Sequence, residues 1–174
     1  MQFNHYGGTA ALLAADLVNL GPAPTPDQVG AALRRHRVVD PLVTARQATD
    51  LAGWGGELAR CFGDATVEQR CADVNELLAR AASKPYVSVH DGHPHLHYRA
   101  MSDDVVSRVR AVTVTGLAYL VCFAGGHRLG RCARTGCGTA FVDTSRAGRR
   151  RYCSVRCANT SAVSRHRASR RVDR

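Results

Sequence analysis

The chain has 174 residues, of which 45% are hydrophobic and 22% charged, a balance that excludes a disordered polymer and fits a folded domain plus a small module. Its net charge of +10 is unevenly placed: residues 128–174 hold thirteen arginines against two aspartates, whereas residues 1–127 hold 11 basic and 12 acidic side chains. Basic character confined to one end implies a polyanionic partner for that end alone. The most apolar stretch, Ala111 to Gly126, is flanked by Arg110 and His127. It falls short of the roughly 20 residues a membrane span needs, so it reads as a buried helix with no membrane role. The opening MQFNHYGG has neither the basic region nor the apolar run of an export signal. With seven cysteines, an odd number, a reducing, cytoplasmic setting without disulfides is expected.

In chain order, Thr9 is read as the cap of a short apolar helix, AALLAADLVNL, stopped by Gly21 and Pro22. Thr25, Pro26 and Gln28 form a capping-box start, with proline at the first helical position. That second helix should end between His36 and Asp40, with Pro41 opening a longer one toward Phe62. A further helix after Asp64 carries Val67, Cys71, Val74, Leu77, Leu78 and Ala81 at helical spacing. Cys61, Cys71 and Cys122 are assigned to the core as small apolar side chains.

YVSVHDGHPHLHY reads as a β-hairpin turning at Asp91–Gly92. Pairing His90 with His93 sets Ser88 against His95 and Tyr86 against His97 on a solvated polar face. The alternate residues, including Val87 and Leu96, should pack on helices. The histidines could hold a metal, but no carboxylate or cysteine joins them at ligand spacing.

The strongest signal lies further on. Cys132 and Cys137 are separated by four residues, Cys153 and Cys157 by three, with fifteen residues between the pairs. Two close pairs across a short loop are what a tetrahedral zinc ion requires, and four protein ligands leave no open position for catalysis. One structural Zn²⁺ is therefore expected. TAFVD suits a hairpin strand, SRAGRR its turn, and Cys153 and Cys157 the first turn of a helix, an order that resembles a treble-clef finger. Around the third and fourth cysteines, RRRYCSVRC and the helix after it supply Arg149, Arg150, Arg151, Arg156, Arg165, Arg167, Arg170 and Arg171 as candidate DNA contacts. Arg167, Arg170 and Arg171 share a helical face and are assigned to phosphates, with Arg165 as a base reader.

At these residues the sequence resembles the CGNR-type zinc fingers that follow an ABATE domain in bacterial stress-response transcription regulators. The likeness runs through residues 131–171, and it places the family's four metal ligands on Cys132, Cys137, Cys153 and Cys157. The name-giving motif departs: Gly-Asn-Arg after the fourth cysteine is Ala158, Asn159 and Thr160 here, and a usual lysine is Ala162. Upstream, LLAADLVNL resembles the opening helix of the ABATE domain, with Asp16 and Asn19 in its motif positions. Those two could line a ligand pocket or hold the following loop.

The reading is thus an α+β chain. Residues 1–127 form a mainly helical ABATE-like domain with a β-hairpin, which senses a small molecule or forms a homodimer, and residues 128–174 form a basic Cys₄ finger. The expected function is zinc-dependent binding of double-stranded DNA to regulate transcription. The alternative is a zinc-bearing RNA-associated or protein-interaction module. No Ser/His/Asp set or glycine-rich phosphate loop followed by lysine is present, so no catalytic residue is assigned and an enzyme is not expected.

Overall fold

The computed structural model describes residues 5–38, 42–88 and 95–172. Six helices, a single 3₁₀ turn and two two-stranded antiparallel sheets make up these residues. The helices are α1 (His5–Asn19), α2 (Pro26–Arg35), α3 (Ala45–Leu58), α4 (Val67–Ala81), α5 (Val105–Ala124) and α6 (Val155–Val172). The strands are β1 (Ala82–Ser88), β2 (His95–Ala100), β3 (Leu129–Arg131) and β4 (Ala140–Val142).

Helix α5 is the centre of the fold. Asp104 starts it, its carboxylate accepting from the backbone N–H groups of Val106 and Ser107. It ends at Gly125 in the left-handed conformation. At 20 residues it is long and apolar enough to cross a membrane by composition alone, yet more than half of its apolar window is buried by protein. Val109, Val114, Leu117 and Leu120 pack there with Leu13 and Leu17 of α1, Leu51 and Trp54 of α3, and Leu77 of α4. A buried polar link inside this layer is satisfied: Trp54 Nε1 donates to Thr113 Oγ1 at 2.9 Å, and Thr113 donates to the Val109 carbonyl.

Two glycines permit the closest approaches. A Cβ on Gly116 of α5 would stand 2.6 Å from Ala10 Cβ and from the Ala11 nitrogen of α1. One on Gly55 of α3 would stand 2.6 Å from the Leu17 carbonyl oxygen. Helix α1 therefore lies in two notches that no other residue could form.

The capping box at Thr25 and Gln28 is present, with both reciprocal bonds. A second box, Thr44 with Gln47, starts α3, so that helix begins at Ala45 rather than at Pro41, which lies outside the described residues. Helix α1 starts upstream of Thr9, at His5. In the hairpin the expected register holds, Tyr86 opposite His97 and Ser88 opposite His95. The turn at Asp91–Gly92, with His90 and His93, and the side chains of His95 and His97 lie outside the described residues. One expectation fails there: Val87, assigned to a packed face, is 68% exposed. Cys122 fails likewise, being exposed on α5, because a helix apolar nearly all round gives no periodic sign of its outer side. Cys61 is in the core, where burial pushes its thiol pKa up to about 12.

Leu129, Ala140 and Val142 of β3 and β4 belong to the same buried cluster as α1 and α5. The Asn19 carboxamide, at the end of α1, joins Ala140 twice: its Nδ2 donates to the Ala140 carbonyl at 2.8 Å and its Oδ1 accepts the Ala140 N–H at 2.9 Å. From the other side Arg131 donates to the Ala59 carbonyl, and the Leu129 carbonyl accepts from Gly63. Buried Arg70 fixes that loop by donating to the carbonyls of Cys61 and Gly63. The seam between residues 1–127 and the cysteine module is therefore packed and hydrogen-bonded.

Candidate metal centre and nucleic-acid interface

The four cysteines converge. Cys132 follows β3, Cys137 closes a tight knuckle, Cys153 precedes α6, and Cys157 lies in its first turn. The knuckle is made by backbone bonds from Cys132 N–H to the Thr139 carbonyl and from Cys137 N–H to the Arg134 carbonyl. Gly136 and Gly138 take φ values of 75° and 62°, which let the chain curl around Cys137. The knuckle itself joins β3 to β4, with Leu129 opposite Val142. SRAGRR is not the turn of that hairpin, as the sequence suggested, but the loop that leads from β4 to Cys153.

All four sulfurs lie within 4.8 Å of one another. Sγ–Sγ separations are 3.8 Å for Cys137–Cys153, 3.6 Å for Cys153–Cys157 and 3.9 Å for Cys157–Cys137. A tetrahedron with zinc–sulfur bonds of about 2.3 Å has edges of about 3.8 Å, so the spacing fits Zn²⁺. Polar groups favour the thiolates of Cys137 and Cys157, whereas burial pushes the Cys153 thiol up to about 11. Hydrogen bonds from the Thr139 hydroxyl and backbone draw the Cys137 pKa down to about 6. Ser154 and then Arg134, whose Nε donates to Cys157 Sγ at 3.2 Å, lower that of Cys157. These four thiols form a structural zinc site.

Asp143, 1% exposed, organises the loop after β4. Its carboxylate accepts from the N–H of Ser145 at 2.8 Å and of Arg150 at 2.7 Å. Burial opposes its charge, but those bonds and the Arg128 guanidinium hold the carboxyl below its ordinary pKa. Arg128 also donates to the carbonyls of Asp143 and Ser145.

The candidate DNA-contacting arginines divide into two groups. Arg150 is tied into the module: it donates to the carbonyls of Tyr152 and Cys153 and lies 5.3 Å from the centre of the Phe141 ring. Arg165 donates to the Tyr152 hydroxyl at 2.8 Å, so its guanidinium is turned back toward the knuckle. Arg149, Arg151, Arg156 and Arg167 are exposed, and their side chains make no hydrogen bond or ion pair among the described residues. The side chains of Arg170 and Arg171 lie outside them. Arg134 was missed by sequence reasoning; its only signal was a basic residue inside the Cys132–Cys137 loop.

Helix α6 has an unusual setting. Of its side chains described between Val155 and Ser169, Cys157 alone is buried. Beyond its first turn the described side chains are exposed or half-buried, Val163 among them.

Asp16 and Asn19, considered for a ligand pocket, are engaged with protein groups instead. Asp16 accepts from Arg35 and lies 2.9 Å from His36 Nε2, fastening α1 to the end of α2. Asn19 holds β4, as described above.

Four thiols on a knuckle and a helix start, closed around one structural metal, define a small zinc finger. Residues 128–170 match the family model of the CGNR zinc finger. No curated protein matches the chain.

Proposed function

We propose that the chain is a zinc-dependent DNA-binding regulator of transcription, in which the finger contacts the duplex. The observation that carries this reading is the state of the arginines. Thirteen of them lie in residues 128–174 against two aspartates, and one of those aspartates, Asp143, is buried in structural bonds. Their charge is left for an outside polyanion, and the metal fixes the module that presents it. Duplex is favoured over single strands because the finger has two aromatic residues and neither is a free stacking platform: Phe141 is 7% exposed and Tyr152 is bound by Arg165. Residues 1–127, through their resemblance to an ABATE domain, would sense a ligand or form a homodimer, which would add contact area to a small finger.

The test is a salt titration of binding between the zinc-loaded chain and fluorescent duplexes. Affinity should fall linearly with salt on logarithmic axes, with a slope reporting several phosphate contacts, and should disappear in Cys153→Ser. Salt-independent binding, or none at low salt, would refute the proposal.

A further inference from the structure

Two of the concavities on the finger share residues. One, of about 450 Å³, lies between the knuckle and α6, and is lined by Arg134, Thr135, Arg151, Ser161, Ser164 and Arg165 among others. The second, of about 640 Å³, lies at the seam with the helical part and includes Arg70, His127, Arg131, Arg150 and Arg151, with Asp64 as its one acid. Ala133 and Arg151 line both. The two therefore form one trough across the finger, with Arg151 on the ridge where they meet.

The trough is chemically suited to a phosphodiester backbone. Thr160, Ser161, Ser164 and Arg165 form one stripe on α6, on the side of the helix that carries Cys157. Ser164 places a hydroxyl beside charge, while the Thr160 hydroxyl donates to the Arg156 carbonyl and Ser161 bonds Tyr152. The Arg134 guanidinium gives its Nε to Cys157 Sγ and a further hydrogen bond to Cys137, and of its five N–H donors others remain for an outside acceptor. Arg165 is steadied by the Tyr152 hydroxyl and retains further donors. Arg151 carries no internal bond among the described residues. Guanidiniums held at one edge by protein and open at the other suit phosphate oxygens, since little side-chain freedom is lost on binding. The opposite side of α6 carries Arg156, Asn159, half-exposed Val163 and Arg167, whose two guanidiniums have no protein partner among the described residues to steady them.

Resting on the DNA-binding reading, we propose that the sugar-phosphate backbone of one DNA strand lies in this trough, held by Arg134, Arg151 and Arg165, and not along the outer side of α6. Arg165 is then a phosphate ligand, and Arg134 links the zinc site to the bound strand. The seam makes residues of the helical part, His127 among them, a wall of the same trough.

Two variants of the zinc-loaded full chain separate the alternatives. Ser164→Glu places a carboxylate in the trough, and Val163→Glu places the same charge on the far side of the same helix turn. At fixed salt, Ser164→Glu should weaken duplex binding about tenfold or more, and Val163→Glu by about two- to threefold through net charge. Equal losses, or a larger loss for Val163→Glu, would overturn the trough while leaving DNA binding intact. Wild-type protein that binds no duplex would instead defeat the underlying reading. Should Ser164→Glu lose zinc, arginine modification by phenylglyoxal in the wild type decides the matter. Bound duplex should protect Arg134, Arg151 and Arg165 but not Arg60 or Arg108; protection of Arg156 and Arg167 without those three would overturn the proposal.

Discussion

The two regions of this molecule use arginine in opposite ways. In residues 1–127 arginines meet carboxylates: Arg35 with Asp16, Arg60 with Glu76, and Arg80 with Glu57 and Glu76. In the finger, Arg128, Arg131 and Arg150 bind backbone carbonyls, Arg134 binds a sulfur, and others bind nothing among the described residues. A guanidinium bound to a carbonyl keeps its full charge unneutralised. The finger can thus be held together by its arginines and remain strongly cationic. In the helical part Arg35, Arg60 and Arg80 each cancel a neighbour, and Arg70, which binds the carbonyls of Cys61 and Gly63, is the exception.

Metal removal should separate the regions most sharply. Chelation should abolish amide protection through the knuckle and α6, while α1 to α5 remain folded. Because Leu129, Ala140 and Val142 share the core, the thermal midpoint of the remainder should still fall by about 5 °C. Hydrogen exchange and scanning fluorimetry with and without chelator would test this, and concerted loss of all helices would erase the distinction between regions.

A smaller effect is expected at the seam. Asn19→Leu removes both partners of Ala140 and should cost about 2–3 kcal/mol in urea denaturation. Arg150→Ala and Arg149→Ala test the division within the finger itself. The first should lower stability by about 1–2 kcal/mol, since carbonyls and the Phe141 ring lose a partner. The second should leave stability unchanged and reduce the magnitude of the salt slope of DNA binding by about one. If both variants behave alike, the distinction between structural and displayed arginines is wrong.

The smallest effect concerns acid. Despite the opposing effect of burial, hydrogen bonds with His36 and Arg35 hold the Asp16 carboxyl below its ordinary 3.8. A depressed carboxylate stabilises the fold above its unfolded pKa, and that contribution is lost as pH falls through the folded value. Asp16→Asn should therefore lessen the loss of stability on acidification below pH 3.8, in urea midpoints measured against pH.

Local chemistry was legible in the sequence, and distant pairing was not. Cys132 to Cys157 could be read because ligand spacing is a property of a few consecutive residues. The box at Thr25 and Gln28 was legible for the same reason. The equivalent letters at Thr44 and Gln47 were passed over because Pro41 offered a competing start. Asn19 joins a residue 121 positions away, a relation that no periodicity encodes. Its resemblance to a motif position left a pocket or a hold on the following loop open, and the geometry makes it a clamp on β4. The arginine run announced charge, but whether each guanidinium faces inward or outward depends on carbonyls such as those of Tyr152 and Cys153.

The notches at Gly55 and Gly116 have a mechanical consequence. They seat α1 like a shaft in two bearings, with backbone atoms and the Ala10 methyl at the contacts. The far end of that shaft is Asn19, clipped to β4. Such a part cannot bend locally to absorb a disturbance; it slides, turns or stays put. A displacement of α1 would accordingly reach, through the Asn19 clip, the strand beneath the zinc knuckle, and the finger's orientation would follow the axis of one helix.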